Sequence, residues 1–533
     1  MRSRVALFVA VACVQALFAA APVGAQQPRN YPEFTYERVR VEMRDGVKLS
    51  ADIYRPVTDG EKVPVILQLT PYHQLYNALD PRETDLPAGD ARLFVPKGYA
   101  YVVADVRGTY GSGGCWDYGG IKERHDGYDL VEWLGTRSWS NGKVAMTGGS
   151  YDGTTANAAA VERPPHLATI VPVSAISRWW GYAYQQGTRS TYSGESADID
   201  PPSDTPTDFM FAYGFLPPPD PGAMTDAQQT AMRWNLCDRV EKFMKGYSTQ
   251  PDYDAFWKQR DYLRLADRVD VPVLVSHGQL DFNVKTWEGT AWFQALDTEK
   301  AMVLGQWAHA SPRGKYGDWD AFLEKWFERW LYGVDNGVED EPAVRVQTND
   351  GKWHLQNGWG ITPTANHWLE GPDTFTYFDD GALTESEMLR GIGEGERFVR
   401  VKIESSEGQE RMIGRPTLEL VVESDSPSTH FVAVLLDVAK TGQQQVVSRA
   451  FMNARYRHGR GMGKDLVPGK RYEVSLEFID KDWVVADGHH LELLIGSSSN
   501  TWVAPDERRA TNTIYLKKSS FRRPMSTLAP SRW

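Results

Sequence analysis

The chain has 533 residues, enough for about three domains at roughly 150 residues each and far more than one small core requires. Hydrophobic residues make up 41% and charged residues 24%, which excludes wholesale disorder and a fibrous repeat. Lys+Arg 58 against Asp+Glu 70 gives 58 − 70 = −12, an acidic balance that argues against a nucleic-acid partner.

In chain order, the first element is Met1-Arg2-Ser3-Arg4, then the apolar run Val5 to Ala21, then Val23-Gly24-Ala25-Gln26. A basic start, an apolar stretch and a small-x-small site predict a signal peptide over 1–25, cleaved after Ala25. Loss of Arg2 and Arg4 takes the net charge to −12 − 2 = −14, and no later run approaches the length of a membrane span. The expected protein is therefore exported, secreted or periplasmic, with no membrane contact after cleavage. Export leaves Cys115 and Cys237 in an oxidising compartment; one bridge and two buried free thiols stand equally open.

Short apolar runs follow at Val63–Leu69, Ala100–Val106, Val144–Thr147, Ala168–Val173, Val271–Ser276 and Met302–Leu304. Helical patterns such as Asp129–Leu134 and Trp319–Leu331 separate them, so the spacing predicts an α/β fold with a parallel sheet. The rhythm stops from about 178 to 267, where Trp179-Trp180, Pro217-Pro218-Pro219 and helical patterns around Ala227–Lys245 predict an inserted, mostly helical cap. Beyond about 340, Thr417–Glu423, Phe431–Val438, Tyr472–Phe478 and Leu491–Ile495 read as strands of a β-sandwich or jelly roll. The expected division is a core at 30–177 and 268–338, a cap at 178–267 and a β domain at 339–533.

The strongest chemical signal is Gly148-Gly149-Ser150-Tyr151-Asp152-Gly153, directly after the strand Val144–Thr147 and before the small-residue run Thr154–Ala160. Strand, Gly-flanked Ser and helix are the setting of a nucleophile elbow, although the second Gly falls one position later than usual. A Ser hydroxyl needs a base, and the base needs an orienting carboxylate. In an α/β-hydrolase these follow in the order Ser, Asp, His after later strands. Asp281 follows Val271–Ser276, and His309 follows Met302–Leu304, so Ser150, Asp281 and His309 are the expected catalytic residues. His277, at a strand end ahead of Asp281, reads as structural. The backbone N–H of Tyr151 is the expected first oxyanion donor, with Tyr72 in Thr70-Pro71-Tyr72 a candidate for the second. No H-E-x-x-H, phosphate-binding glycine loop or EF-hand pattern occurs, and no metal or organic cofactor is expected.

At these residues the sequence resembles the serine hydrolases that group X-prolyl dipeptidyl aminopeptidases, cocaine esterase, α-amino-acid ester hydrolases and glutaryl acylases. The resemblance also rests on Asp105-Val106-Arg107-Gly108, Ser112-Gly113-Gly114, Pro468-Gly469 with Tyr472-Glu473-Val474, and Ser497-Ser498-Ser499-Asn500. It implies an α/β-hydrolase domain with an inserted helical cap and a C-terminal jelly roll, a late second Gly in the elbow, and Tyr72 as the oxyanion hydroxyl. His277-Gly278 with Asp281, Asn283, Val284 and Lys285 is similar to the X-prolyl dipeptidyl peptidases. So is Ala175-Ile176-Ser177 with Trp179 and Tyr182, and so is Gly194-Glu195 with Ala197-Asp198. The resemblance implies a proline pocket lined by Trp179 and Tyr182 near Asn283, and Glu195 as the anchor of the substrate's free amine. The expected substrate is a peptide with a free N-terminal X-Pro, with a small ester or amide as the alternative. A buried carboxylate suits an ammonium drawn from water, and aromatic faces suit a proline ring that has no N–H to satisfy.

Overall fold

A computed structural model of the chain describes residues 29–72, 90–190, 235–240, 251–309, 311–360, 364–403, 408–500 and 502–525. The expected signal peptide, Glu195 and most of the expected cap lie outside the described residues.

The first domain is built on ten strands: β1 (Phe34–Glu42), β2 (Lys48–Pro56), β3 (Val63–Thr70), β4 (Ala100–Asp105), β5 (Ser140–Gly149), β6 (Leu167–Val173), β9 (Val273–Gly278), β10 (Lys300–Gly305), β11 (Val344–Gln347) and β12 (Trp353–Gln356). The short hairpin β7 (Tyr184–Gln185) and β8 (Thr188–Arg189) falls between β6 and β9 in the chain. The sheet order is β1-β2-β4-β3-β5-β6-β9-β10-β11-β12. Pairings from β4 through β11 are parallel, and those of β1, β2 and β12 are antiparallel.

Continuous apolar runs form the central strands because both sheet faces are covered. Val65, Leu67 and Leu69 of β3 join one core cluster, while Ile66 joins the other. In β4, Ala100, Val102 and Ala104 point one way and Tyr101 and Val103 the other. Helices α1 (Ile121–Gly135), α2 (Tyr151–Ala160) and α4 (Trp287–Ala295) cover the first face; α3 (Trp179–Ala183) lies at its edge. Helix α5 (Trp319–Phe327) covers the second with Trp319, Phe322, Leu323, Trp326 and Phe327, the i, i+3, i+4, i+7, i+8 stripe of an amphipathic helix.

The sheet runs past the expected boundary at 338. Val344–Gln347 pairs in parallel with β10, and Trp353–Gln356 closes the edge, so the first domain's sheet reaches Gln356. These four-residue strands are too short for periodicity to assign them to one domain or the other.

The C-terminal region is sheet-rich. One sheet holds β13 (Thr364–Trp368), β14 (Phe375–Asp379), β17 (Thr417–Ser424), β20 (Arg471–Glu477), β23 (Ala510–Ile514) and β24 (Ser520–Pro524). A second holds β15 (Val399–Ile403), β18 (His430–Val438), β19 (Gln444–Asn453) and β22 (His490–Gly496). Leu418, Leu420 and Val422 of the first share one core with Val401, Phe431, Ala433 and Leu435 of the second, so the two sheets pack face to face. A separate ribbon pairs β16 (Glu410–Gly414) with β21 (Lys481–Val485).

Cys115 and Cys237 are joined in a disulfide, which decides the alternative that the sequence left open. The bond ties residues 235–240 to the loop after β4. Backbone hydrogen bonds from Trp116 N–H to Asn235 O (2.6 Å) and from Cys237 N–H to Trp116 O (3.1 Å) extend the tie.

Candidate active site

Ser150 stands between β5 and α2 with φ 61° and ψ −121°, a left-handed conformation that costs a non-glycine residue free energy. Its N–H donates to Val173 O of the neighbouring strand at 2.8 Å, and this contact helps hold the turn. The displaced second glycine has a steric cause. A Cβ on Gly153 would lie 2.8 Å from Gly148 O and 2.9 Å from Val173 N, so α2 packs on the sheet there with no room for a side chain. Asp152 occupies the more usual glycine position and turns its carboxylate to Gln68, whose Nε2 donates at 2.6 Å.

Tyr151 opens α2, so its N–H belongs to the first turn, where amides lack intrahelical acceptors. Its ring is buried and held at its hydroxyl, which donates to Glu123 Oε2 at 2.5 Å and accepts from Trp116 Nε1 at 2.9 Å. Burial pushes the Glu123 carboxyl up to about 8, against the lowering effect of the Tyr151 contact. This polar post beneath the elbow carries no sequence motif.

Asp281 lies three residues beyond β9 and is fully buried. Its Oδ1 accepts the N–H groups of Asn283 (3.0 Å) and Val284 (2.9 Å), and its Oδ2 lies 2.7 Å from His309 Nδ1. Burial alone would raise its pKa; His309 and His277 outweigh burial and hold it at about 2. An ionised Asp281 only accepts, so Nδ1 of His309 carries the proton and the basic lone pair falls on Nε2. His309 is a quarter exposed, whereas His277 is wholly buried and engages Val284 O through Nε2 at 2.7 Å. The rival histidine thus acts as a strut of the Asp281 turn. Ser150, Asp281 and His309 follow the carboxyl ends of β5, β9 and β10, on one edge of the sheet.

Tyr72 follows β3 on the same edge, half-buried, with its N–H donating to Thr70 Oγ1 at 3.0 Å. Tyr182 reaches Asn283, donating from its hydroxyl to Oδ1 at 3.0 Å. Lys285 stands 5.9 Å from the Tyr182 ring centroid, and burial brings its ammonium down to about 8. Trp179 stands beside Tyr182, and both rings are buried. It is fully buried against Tyr118 and Tyr151, with Nε1 donating to Tyr262 at 3.0 Å, and meets Tyr182 edge-on at 5.9 Å.

A family model described as X-Pro dipeptidyl-peptidase (S15 family) matches residues 45–311, and its C-terminal non-catalytic domain matches 336–529. The chain belongs to the X-Pro dipeptidyl-peptidase S15 family. A Streptomyces avermitilis protein with the provisional name Xaa-Pro dipeptidyl-peptidase is 26% identical, over 98% of this chain and 89% of the relative. Cocaine esterase from a Rhodococcus strain is 24% identical over 86% of this chain and 90% of its own. Among solved structures, a CocE/NonD family hydrolase from Staphylococcus aureus superposes with a TM-score of 0.75 at 19% identity, covering 93% of this chain and 94% of that one. An α-amino acid ester hydrolase gives 0.74 at 20%, covering 97% and 100%. The fold is that of an α/β hydrolase followed by a sheet-rich C-terminal domain, and the S15 member is a serine hydrolase.

Proposed function

We propose that the protein removes X-Pro dipeptides from free peptide N-termini, with Ser150 as nucleophile, His309 as general base and acid, and Asp281 as its orienting carboxylate. The observation that carries the reading is the 2.7 Å contact between the buried, ionised Asp281 and His309 Nδ1, on the sheet edge that also bears the Ser150 elbow.

Ser150 Oγ attacks the carbonyl carbon of the second residue as its proton passes to His309 Nε2. The carbonyl oxygen becomes an oxyanion that the Tyr151 N–H and the Tyr72 hydroxyl stabilise. Collapse breaks the C–N bond, and the His309 proton leaves with the amine of the shortened peptide. Water then repeats the sequence, giving its proton to His309, and releases the dipeptide with Ser150 restored. Tyr182, with Asn283 behind its hydroxyl and Trp179 packed against its ring, offers the apolar surface that a prolyl ring takes. Glu195, outside the described residues, is the proposed ammonium anchor. Export through a signal peptide is part of the proposal; a disulfide that persists in an oxidising compartment supports it. A jelly-roll connectivity of the C-terminal sheets is proposed alongside.

The similarity to cocaine esterase over most of both chains favours one second reading, an esterase or amidase with a small acyl pocket. Hydrolysis of Gly-Pro-p-nitroanilide and of its N-acetyl form separates the two. The peptidase cleaves the free amine and is nearly inert on the acetylated compound. Equal rates, or a preference for simple aryl esters over both, assign the esterase.

A further inference from the structure

Helix α3 has two sides. Trp179 and Tyr182 turn toward Tyr151 and Asn283, while Trp180 and Gly181 face a separate cavity of about 360 Å³ between the two domains. Trp180, Tyr184 and Trp287 line it from the hydrolase side and Tyr456 from the C-terminal side, beside polar Gln185, Gln186, Ser475 and Glu477. Four arginines also line it: Arg178, Arg415, Arg457 and Arg460.

The arginines differ in how their charge is met. Arg415 is paired with Asp480 (2.6 Å) and Glu477 (3.0 Å), and Arg460 with Asp261 (2.9 Å). Arg457 has only carbonyl partners for Nη1, Ala454 O at 3.0 Å and Lys464 O at 2.7 Å, and its Nε is buried without a partner. Arg178 is the least satisfied. Its Nε is buried with no partner, and among the described residues no acceptor takes a hydrogen bond from its guanidinium. The nearby acid, Glu288, is already committed. Its Oε2 accepts from the Ser177 N–H (2.9 Å), the Ser177 hydroxyl (2.8 Å) and the Arg178 N–H (2.8 Å), and its Oε1 from Trp287 Nε1 (3.1 Å).

A half-buried guanidinium with no protein acceptor leaves its fork open to a ligand in the cavity. Its planar fork matches a carboxylate, and the four aromatic rings in a cavity of this size suit a small apolar body. We infer that this interdomain cavity is a binding site for a small monocarboxylate with an apolar or aromatic body, anchored by Arg178. It lies on the far side of α3 from the proposed prolyl pocket and goes beyond the proposed reaction.

The test uses the full chain carrying Ser150→Ala, so that binding is read without turnover and independently of the peptidase assignment. Calorimetric titration compares phenylacetate, its neutral isostere phenylacetamide, and phenyl phosphate. Phenylacetate is expected to bind one per chain, about tenfold or more tighter than phenylacetamide, because a charge-assisted fork is lost in the amide. Adding Arg178→Gln removes that difference, and Arg178→Lys keeps part of it. Equal affinity for phenylacetate and phenylacetamide, tighter binding of phenyl phosphate, or undiminished phenylacetate binding in Arg178→Gln overturns the inference. If Arg178→Gln does not fold, the isostere comparison in the parent and its partial loss in Arg178→Lys decide the matter.

Discussion

The ammonium of Lys481, in the C-terminal domain, donates to the backbone carbonyl of Gln279, two residues ahead of Asp281. The neighbouring Asp482 N–H donates to Gln279 Oε1 at 2.7 Å, and the Phe282 ring packs on Trp502 at 4.8 Å. The turn that carries the acid is therefore braced from the other domain. Replacing Lys481 by Met keeps its length and removes the donor. The expected result is a kcat about tenfold lower with KM nearly unchanged, since a shifted Asp281 misaligns His309 without touching substrate. Steady-state kinetics on Gly-Pro-p-nitroanilide read the split; a change in KM alone would assign Lys481 to substrate binding.

Asp281→Asn tests the orienting role. An amide in that position stops holding the Nδ1–H tautomer, and kcat should fall about 10³- to 10⁴-fold. The same substitution has a stability signature. The Asp281 pKa is depressed in the folded protein, so its stabilisation is present above the ordinary carboxylate range and lost as pH falls toward 2. Acid unfolding followed by circular dichroism should show a shallower loss over that window in Asp281→Asn than in wild type.

Glu123 gives the opposite sign. Its folded pKa, about 8 through burial, lies above the ordinary value of 4.5, so the folded state holds a proton that the unfolded state releases between those limits. The stabilisation is present below pH 4.5 and declines as pH rises toward 8. Glu123→Gln removes this component, and its urea midpoint should vary less than that of wild type between pH 5 and 8. Identical pH dependence in both proteins would place the titration elsewhere.

The Cys115–Cys237 bond spans 122 residues. By chain entropy alone a loop of that length stabilises the fold by about 4–5 kcal/mol. The Cys115→Ser/Cys237→Ser variant should unfold at a clearly lower temperature, and reductant should lower the wild-type midpoint while leaving the variant's unmoved. Trp116, next to Cys115, reaches Tyr151, so a loss of turnover should accompany the loss of stability.

The Ser150 turn, the carboxyl-end positions of Asp281 and His309, and the six central strands were legible because local rules fix them: glycine at close approach, apolar runs between covered faces, and loops after strands. Gly153 shows the limit of a fixed spacing, since the close approach of α2 to Val173 decides where the glycine must be. What could not be read locally depends on distant partners. The pairing of Cys115 with Cys237, the Glu123 post under Tyr151 and the Lys481 brace all join segments far apart in the chain. The contacts of Trp179 with Tyr118, Tyr151 and Tyr262 are of the same kind. The strands β11 and β12 were missed because pairing with β10, rather than their own composition, makes them part of the first sheet.

In the proposed reaction Ser150 is the nucleophile and His309 activates it. Reaction with a fluorophosphonate followed by peptide mass mapping reads both roles in one experiment. One adduct per chain is expected, on the peptide holding Ser150, absent in Ser150→Ala and strongly slowed in His309→Ala. An adduct on another residue, or labelling that persists undiminished after Ser150→Ala, would assign the nucleophile elsewhere.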